Sequence, residues 1–96
     1  DRMRAIQQRV AVEWAVSVEG LQSKTRTKIL TIPRQVAMYL VRDILGMQLV
    51  EIGQGFGDRD HSTVIHSLDR VGEMMKDSAE FRSRVEKLKE SLRHEH

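Results

Sequence analysis

Apolar residues recur along this chain at steps of three and four, and no segment alternates apolar with polar residues as a half-buried strand does. An α-helix makes a turn in about 3.6 residues, so such steps line one face of a helix. The clearest stripes are Met3, Ile6, Val10 and Trp14; Val36, Ala37, Leu40, Val41, Ile44 and Leu45; Val64, Ile65, Leu68, Val71 and Met75; and Phe81, Val85, Leu88 and Leu92. The pattern restricts the chain to an all-α fold. Its 96 residues suit one compact domain with a single core, spanning residues 1–96.

Capping residues and breakers divide the stripes into about six helices. The first covers roughly residues 2–16, and Ser17 suits the N-cap of a short second helix, SVEGLQS, with Glu19 near its positive end. Residues 24–31, KTRTKILT, have no helical period and read as an extended basic loop. Pro33 then suits a first helical position, where its missing N–H has no intrahelical acceptor to lose. The helix it opens runs to about Leu45, with Gly46 as a left-handed stop, and its wide apolar face makes it the central buried helix. Leu49–Phe56 fits a short helix, Gly57–Arg59 a turn and Asp60 an N-cap. A long helix follows from His61 to about Lys76, with Val64, Ile65 and Leu68 turned inward. Ser78 caps the last helix, whose outer face alternates charge sign and whose apolar stripe is too short for a coiled coil and docks on the core. Trp14 and Tyr39 lie on or beside apolar stripes and read as packing rather than as base-stacking platforms.

Composition removes several function classes. With no cysteine there is no disulfide scaffold, cysteine-based zinc site or thiol nucleophile. No apolar run approaches the roughly 20 residues of a membrane span, and the leading DRMRAIQQRV lacks a signal peptide's hydrophobic stretch, so a cytoplasmic protein without membrane contact is expected. His61 and His66 are five residues apart, not the three or four that stack two ligands on a helix, and His94 and His96 lie in a tail expected to fray. Asp60 and His61 are adjacent and point in different directions, a poor acid–base pair, and no phosphate-binding loop of the G-x-x-x-x-G-K-[S/T] type is present. No catalytic activity or cofactor is expected of these residues.

Net charge is only +2, but it is unevenly spread. Between Leu21 and Arg42 stand Lys24, Arg26, Lys28, Arg34 and Arg42 with no acid, whereas Asp43–Asp60 carries Asp43, Glu51, Asp58 and Asp60 against Arg59 alone. A concentrated basic segment on a nearly neutral chain is either a solvated loop or a holder of phosphates. The two helices LVEIGQGF and HSTVIHSL, joined by a tight glycine-containing turn, match a helix-turn-helix over about residues 49–76. In that motif the second helix enters the major groove with its N-terminus leading, and its first-turn side chains meet the base edges. Here these are Asp60, His61, Ser62 and Thr63, with His66 one turn on. Arg26, between Thr25 and Thr27, is suited to a minor groove or to phosphates beside such a helix. Helix pairs with a glycine turn also occur in proteins that bind no DNA, and the bare pattern leaves both readings open.

Three longer stretches carry a resemblance: IPRQVAMYL (Ile32–Leu40), LVEIGQGFG (Leu49–Gly57) and DRDHSTVIHSL (Asp58–Leu68). They resemble the C-terminal DNA-binding domain of DnaA, the bacterial chromosomal replication initiator, over essentially the whole chain and in the same order of parts. The resemblance implies a Trp-repressor-like helical domain that binds double-stranded DNA at the DnaA boxes of the replication origin. It places Arg26 in the minor groove, Arg34 and Gln35 on phosphate, Arg42 facing the DNA, and Asp60, His61, Ser62 and Thr63 on bases. Lys24, Thr25, Lys28, Arg59 and His66 complete the expected phosphate contacts. It further implies a monomeric, nucleoid-associated domain approached by regulatory proteins, with ATP and magnesium belonging to a separate ATPase domain. The chain departs from the family at three places: Asp58 stands where a second glycine is usual, Ser62 where threonine is frequent, and Ile32 where a basic residue often precedes the proline. The alternative reading is a helical protein–protein interaction module with only non-specific DNA affinity.

Overall fold

A computed structural model describes residues 1–94; His96 lies outside the described residues. Helix α1 spans Arg2–Trp14, α2 Val18–Gln22, α3 Lys28–Leu40, α4 Leu49–Gly55, α5 His61–Asp77 and α6 Ala79–Arg93, and α3 continues into a π-helical turn, Val41–Leu45. No strand occurs among the described residues, and no helix is long and apolar enough to cross a membrane.

Local chemistry sets most of these boundaries. The Asp1 carboxylate accepts from the Met3 N–H at 2.9 Å, Ser17 Oγ accepts from Gly20 N–H at 2.9 Å, and Ser78 Oγ accepts from Phe81 N–H at 3.0 Å, so three helices begin on a side chain that satisfies an otherwise orphaned amide. Helix α1 ends at Trp14, the last residue of its apolar stripe and two residues short of the expected span, with Ala15 as its C-cap in the left-handed region at φ 56°.

The start of α3 corrects the sequence reading. The helix begins at Lys28, with Thr27 at the N-cap, so the basic loop is confined to residues 23–27 and Pro33 is the sixth helical residue rather than the first. The first turn is wound tightly, with Leu30 N–H donating to the Thr27 carbonyl at 3.0 Å. It carries no helical apolar period because it projects beyond the core: Ile29 is 67% exposed and Ile32 41%. The rest of α3 is the central helix, with its Val36, Ala37 and Leu40, and Val41 of the π turn, fully buried in one core with Ile6 and Val10 of α1, Leu21 of α2, Ile52 of α4, Val64 and Val71 of α5, and Val85 and Leu88 of α6.

Helix α6 docks through Val85, Leu88 and Leu92, and its outer residues reach back to the bundle. Lys89 pairs with Asp43, and Arg84 donates to the Glu13 carboxylate at 2.8 Å while its guanidinium lies 4.0 Å from the centre of the Trp14 ring. Gln7, buried on α1, donates from Nε2 to the Gly55 carbonyl at 2.9 Å and accepts from Gln22 at 2.9 Å, joining α1, α2 and the end of α4.

Helix α5 brings a second correction. Val64 and Val71 are fully buried and Leu68 and Met75 pack against the core, but Ile65, expected inward, is exposed, and Ser67, not expected there, is buried. A serine is tolerated there because its Oγ donates to the Thr63 carbonyl at 2.9 Å.

Candidate nucleic-acid interface

The turn between α4 and α5 is made by backbone that admits few side chains. Arg59 N–H and Phe56 N–H both donate to the Gly53 carbonyl, at 3.0 and 3.2 Å. A Cβ on Gly53 would stand 2.0 Å from the Arg59 carbonyl oxygen, so only glycine lets the two segments approach this closely. Gly57 and Asp58 both take positive φ, 85° and 56°, so Asp58 is held in a conformation that glycine adopts without strain. A Cβ on Gly57 would also come within 2.8 Å of the Ser23 carbonyl oxygen, which brings the turn against the start of the basic loop.

Asp60 then begins α5 by accepting from Thr63 N–H at 2.9 Å. Hydrogen bonding from the Thr63 amide, and then from its side chain, holds the Asp60 carboxyl below its ordinary pKa. With the cap in place, His61, Ser62 and Thr63 are exposed on the first turn and His66 on the second. Helix α4 begins similarly, the Glu51 carboxylate accepting from Gln48 N–H at 3.3 Å.

The basic loop is fixed from beneath by an arginine. Arg34 is 5% exposed. Its Nε donates to the Leu21 carbonyl at 3.1 Å, Nη1 to Thr25 at 2.7 Å, and Nη2 to Gly20 at 2.7 Å and to Ser23 Oγ at 3.3 Å. All three Arg34 nitrogens bond the protein's own oxygens, which ties the root of the loop to α3, and the side chain also lines the cleft between the loop and α5. Arg59, half-buried, adds a bond from Nη2 to the Ser23 carbonyl at 3.1 Å, while its Nε is enclosed without a hydrogen-bond partner.

Together these elements form one cleft of about 290 Å³, walled by Arg26, Thr31, Arg34, Gln35, Arg59, Thr63 and His66. Burial lowers the pKa of Arg34, and the Arg59 charge adds to this; burial also lowers that of Arg59, with Arg26 adding. A guanidinium stays protonated under such shifts at any ordinary pH, so the cleft concentrates positive charge beside the positive end of a helix dipole. Anionic oxygens are the chemistry this arrangement suits.

The expected site residues are thus gathered unequally. Arg26, Gln35, Arg59, Thr63 and His66 share the cleft, with Arg34 as its floor, and Asp60, His61 and Ser62 stand at the adjoining helix end. Lys24, Thr25 and Lys28 are exposed on the loop and the first turn of α3, and the Thr25 carbonyl serves Arg34. Arg42 lies apart from the cleft lining and donates to the Met47 carbonyl at 2.6 Å, bracing the link from the π turn to α4. Thr31 on the cleft wall went unread in the sequence; its signal, a place four residues before Gln35, emerges only once α3 is known to start at Lys28. A larger hollow of about 630 Å³ between α1 and α6 includes Glu13, Glu80, Phe81, Arg84 and Lys87. It mixes both charge signs, with Arg84 and Glu13 already paired, and offers no polyanion site.

Comparison with known proteins agrees with this architecture. A DnaA chromosomal replication initiator protein of Levilactobacillus brevis is 42% identical over 88 residues, covering 92% of this chain and 20% of that protein. The corresponding protein of Geotalea daltonii is 40% identical over 87 residues, covering 91% and 20%. A crystal structure of a DNA replication initiation factor superposes with a TM-score of 0.86 at 36% identity, covering 96% of this chain and 28% of that one. The chain thus spans about one fifth of the length of these curated relatives. Residues 3–71 match the family described as bacterial DnaA protein helix-turn-helix, and the chain belongs to that family.

Proposed function

We propose that this domain binds double-stranded DNA sequence-specifically, without catalysis, at DnaA-box sites of the replication origin. The observation that carries the reading is the cleft lined jointly by Arg26 from the loop, Gln35 from α3, and Thr63 and His66 from α5. A strand backbone lying in that cleft has the minor groove on the Arg26 side and the major groove on the α5 side. In this arrangement α5 enters the major groove with its N-terminus leading, Asp60, His61 and Ser62 meet base edges, and Arg26 reaches into the neighbouring minor groove. Gln35, Arg59, Thr63 and His66 take the intervening phosphates, joined by Lys24, Thr25 and Lys28 on the loop side, while Arg34 holds the loop at its working height. ATP and magnesium have no part in this step, and the domain acts in the cytoplasm at the nucleoid, a reading that the replication role named for its relatives supports.

A fluorescence-anisotropy titration with a box duplex and a scrambled duplex of equal length tests the proposal. Binding is expected to favour the box by at least about 10³-fold, with log K falling against log salt at a slope of about −4 to −5 for roughly five neutralised phosphates. Equal affinity for the two duplexes would overturn it in favour of a protein-interaction module with only non-specific DNA affinity.

A further inference from the structure

Helix α5 carries one exposed aliphatic residue on the face that the DNA-binding reading directs at the bases. Val64 and Val71 are wholly buried, yet Ile65 between them is 41% exposed. Ile65 follows His61 by four residues and Ser62 by three, so the three share a helix face. Side chains on a helix lean toward its N-terminus, which carries the branched end of Ile65 back toward that first turn.

The neighbouring side chains leave an apolar role open. Asp60 is committed to its cap on Thr63, His61 is polar, and Ser62 offers a hydroxyl without a methyl. Thr63, whose methyl could serve, is turned to the cleft with Arg26 and Gln35. Along the major-groove edges of the four base pairs, the one apolar group is the C5-methyl of thymine. Resting on the proposal that α5 enters that groove, we infer that Ile65 is a base-reading residue that packs on a thymine C5-methyl and supplies the contact that Ser62 cannot.

The test removes the methyl rather than the base. A preferred duplex is first selected from a random pool with the intact domain, and each of its thymines is then replaced in turn by deoxyuridine. For the unaltered domain, one replacement is expected to weaken binding about fourfold, the worth of one buried methyl group. Ile65→Ala should bind the thymine duplex at least about fourfold more weakly and show no further loss with deoxyuridine at that position. Ile65→Val, which keeps one branch, should retain part of the thymine preference, and circular dichroism should show all three proteins equally helical. The inference is overturned if no thymine methyl matters to the unaltered domain, or if the methyl effect persists in full in Ile65→Ala. Failure of the pool to yield any preferred duplex would instead overturn the DNA-binding reading, and with it this one.

Discussion

Arg34 donates from Nη1 to the carbonyl oxygen of Thr25 at 2.7 Å, a bond that fixes the backbone immediately before Arg26. The same guanidinium holds the Gly20 and Leu21 carbonyls, so a buried charge is satisfied by the C-terminal end of α2 and the loop that leaves it. Arg34→Ala strands these acceptors in a buried setting and should destabilise the fold by about 2–4 kcal/mol in urea unfolding. Arg34→Lys should recover only a part, since an ammonium cannot span the same acceptors. A loss below about 0.5 kcal/mol for the alanine variant would deny Arg34 its positioning role.

Asp58 sits at φ 56° with its carboxylate exposed. Asp58→Gly removes the left-handed penalty at the cost of added freedom in the unfolded chain, and a net gain of about 0.5–1 kcal/mol is expected in the same measurement. It also removes a negative charge from the turn that the proposed function sets beside DNA, so affinity should rise at low salt and the gain should shrink as salt increases. A variant less stable than the parent would show that Asp58 contributes more than backbone strain.

Asp60 has a pKa lowered by the bonds it accepts from Thr63, so its carboxylate favours the folded state. That contribution is fully present above the unfolded carboxyl pKa, about 3.9, and is lost as pH falls through the lower folded value. Asp60→Asn keeps a capping oxygen but does not titrate. The thermal midpoint of the parent should therefore fall more steeply below about pH 4 than that of Asp60→Asn. Parallel profiles for the two proteins would remove the cap from the acid response.

His61 is exposed at the leading edge of α5, whereas Gln35 lines the cleft. His61→Ala should cost on the order of 1–3 kcal/mol on a selected duplex and little on a scrambled one, while Gln35→Ala should weaken both alike. Anisotropy titrations of both variants on both duplexes check this, and equal losses for His61→Ala would take away its base-reading role.

Much of the fold was legible because the sequence writes core contacts and caps in the same alphabet. Val64 and Val71 lie two turns apart on α5 and Asp60 announces its start, so that helix could be placed closely. The first turn of α3 could not, since it leaves the core and Pro33, a common opening residue, sits a turn and a half inside it. Ile65 misled because it stands at the margin of the apolar stripe, where one residue's rotation decides between core and solvent. The role of Arg34 was hidden for a different reason: most of its acceptors are backbone carbonyls, which every residue has and no side chain advertises. The grouping of Arg26, Arg34 and Arg59 depends on a contact between residues 36 positions apart, Arg59 and Ser23, that no local pattern encodes.

That contact, with the close approach of Gly57 to the Ser23 carbonyl, ties the turn before α5 to the root of the basic loop. Two jaws anchored to one another this way keep their gap without any ligand between them. Their ordering entropy is lost during folding rather than on encounter, so the proposed DNA association would draw on a preorganised grip and need no slow rearrangement to close.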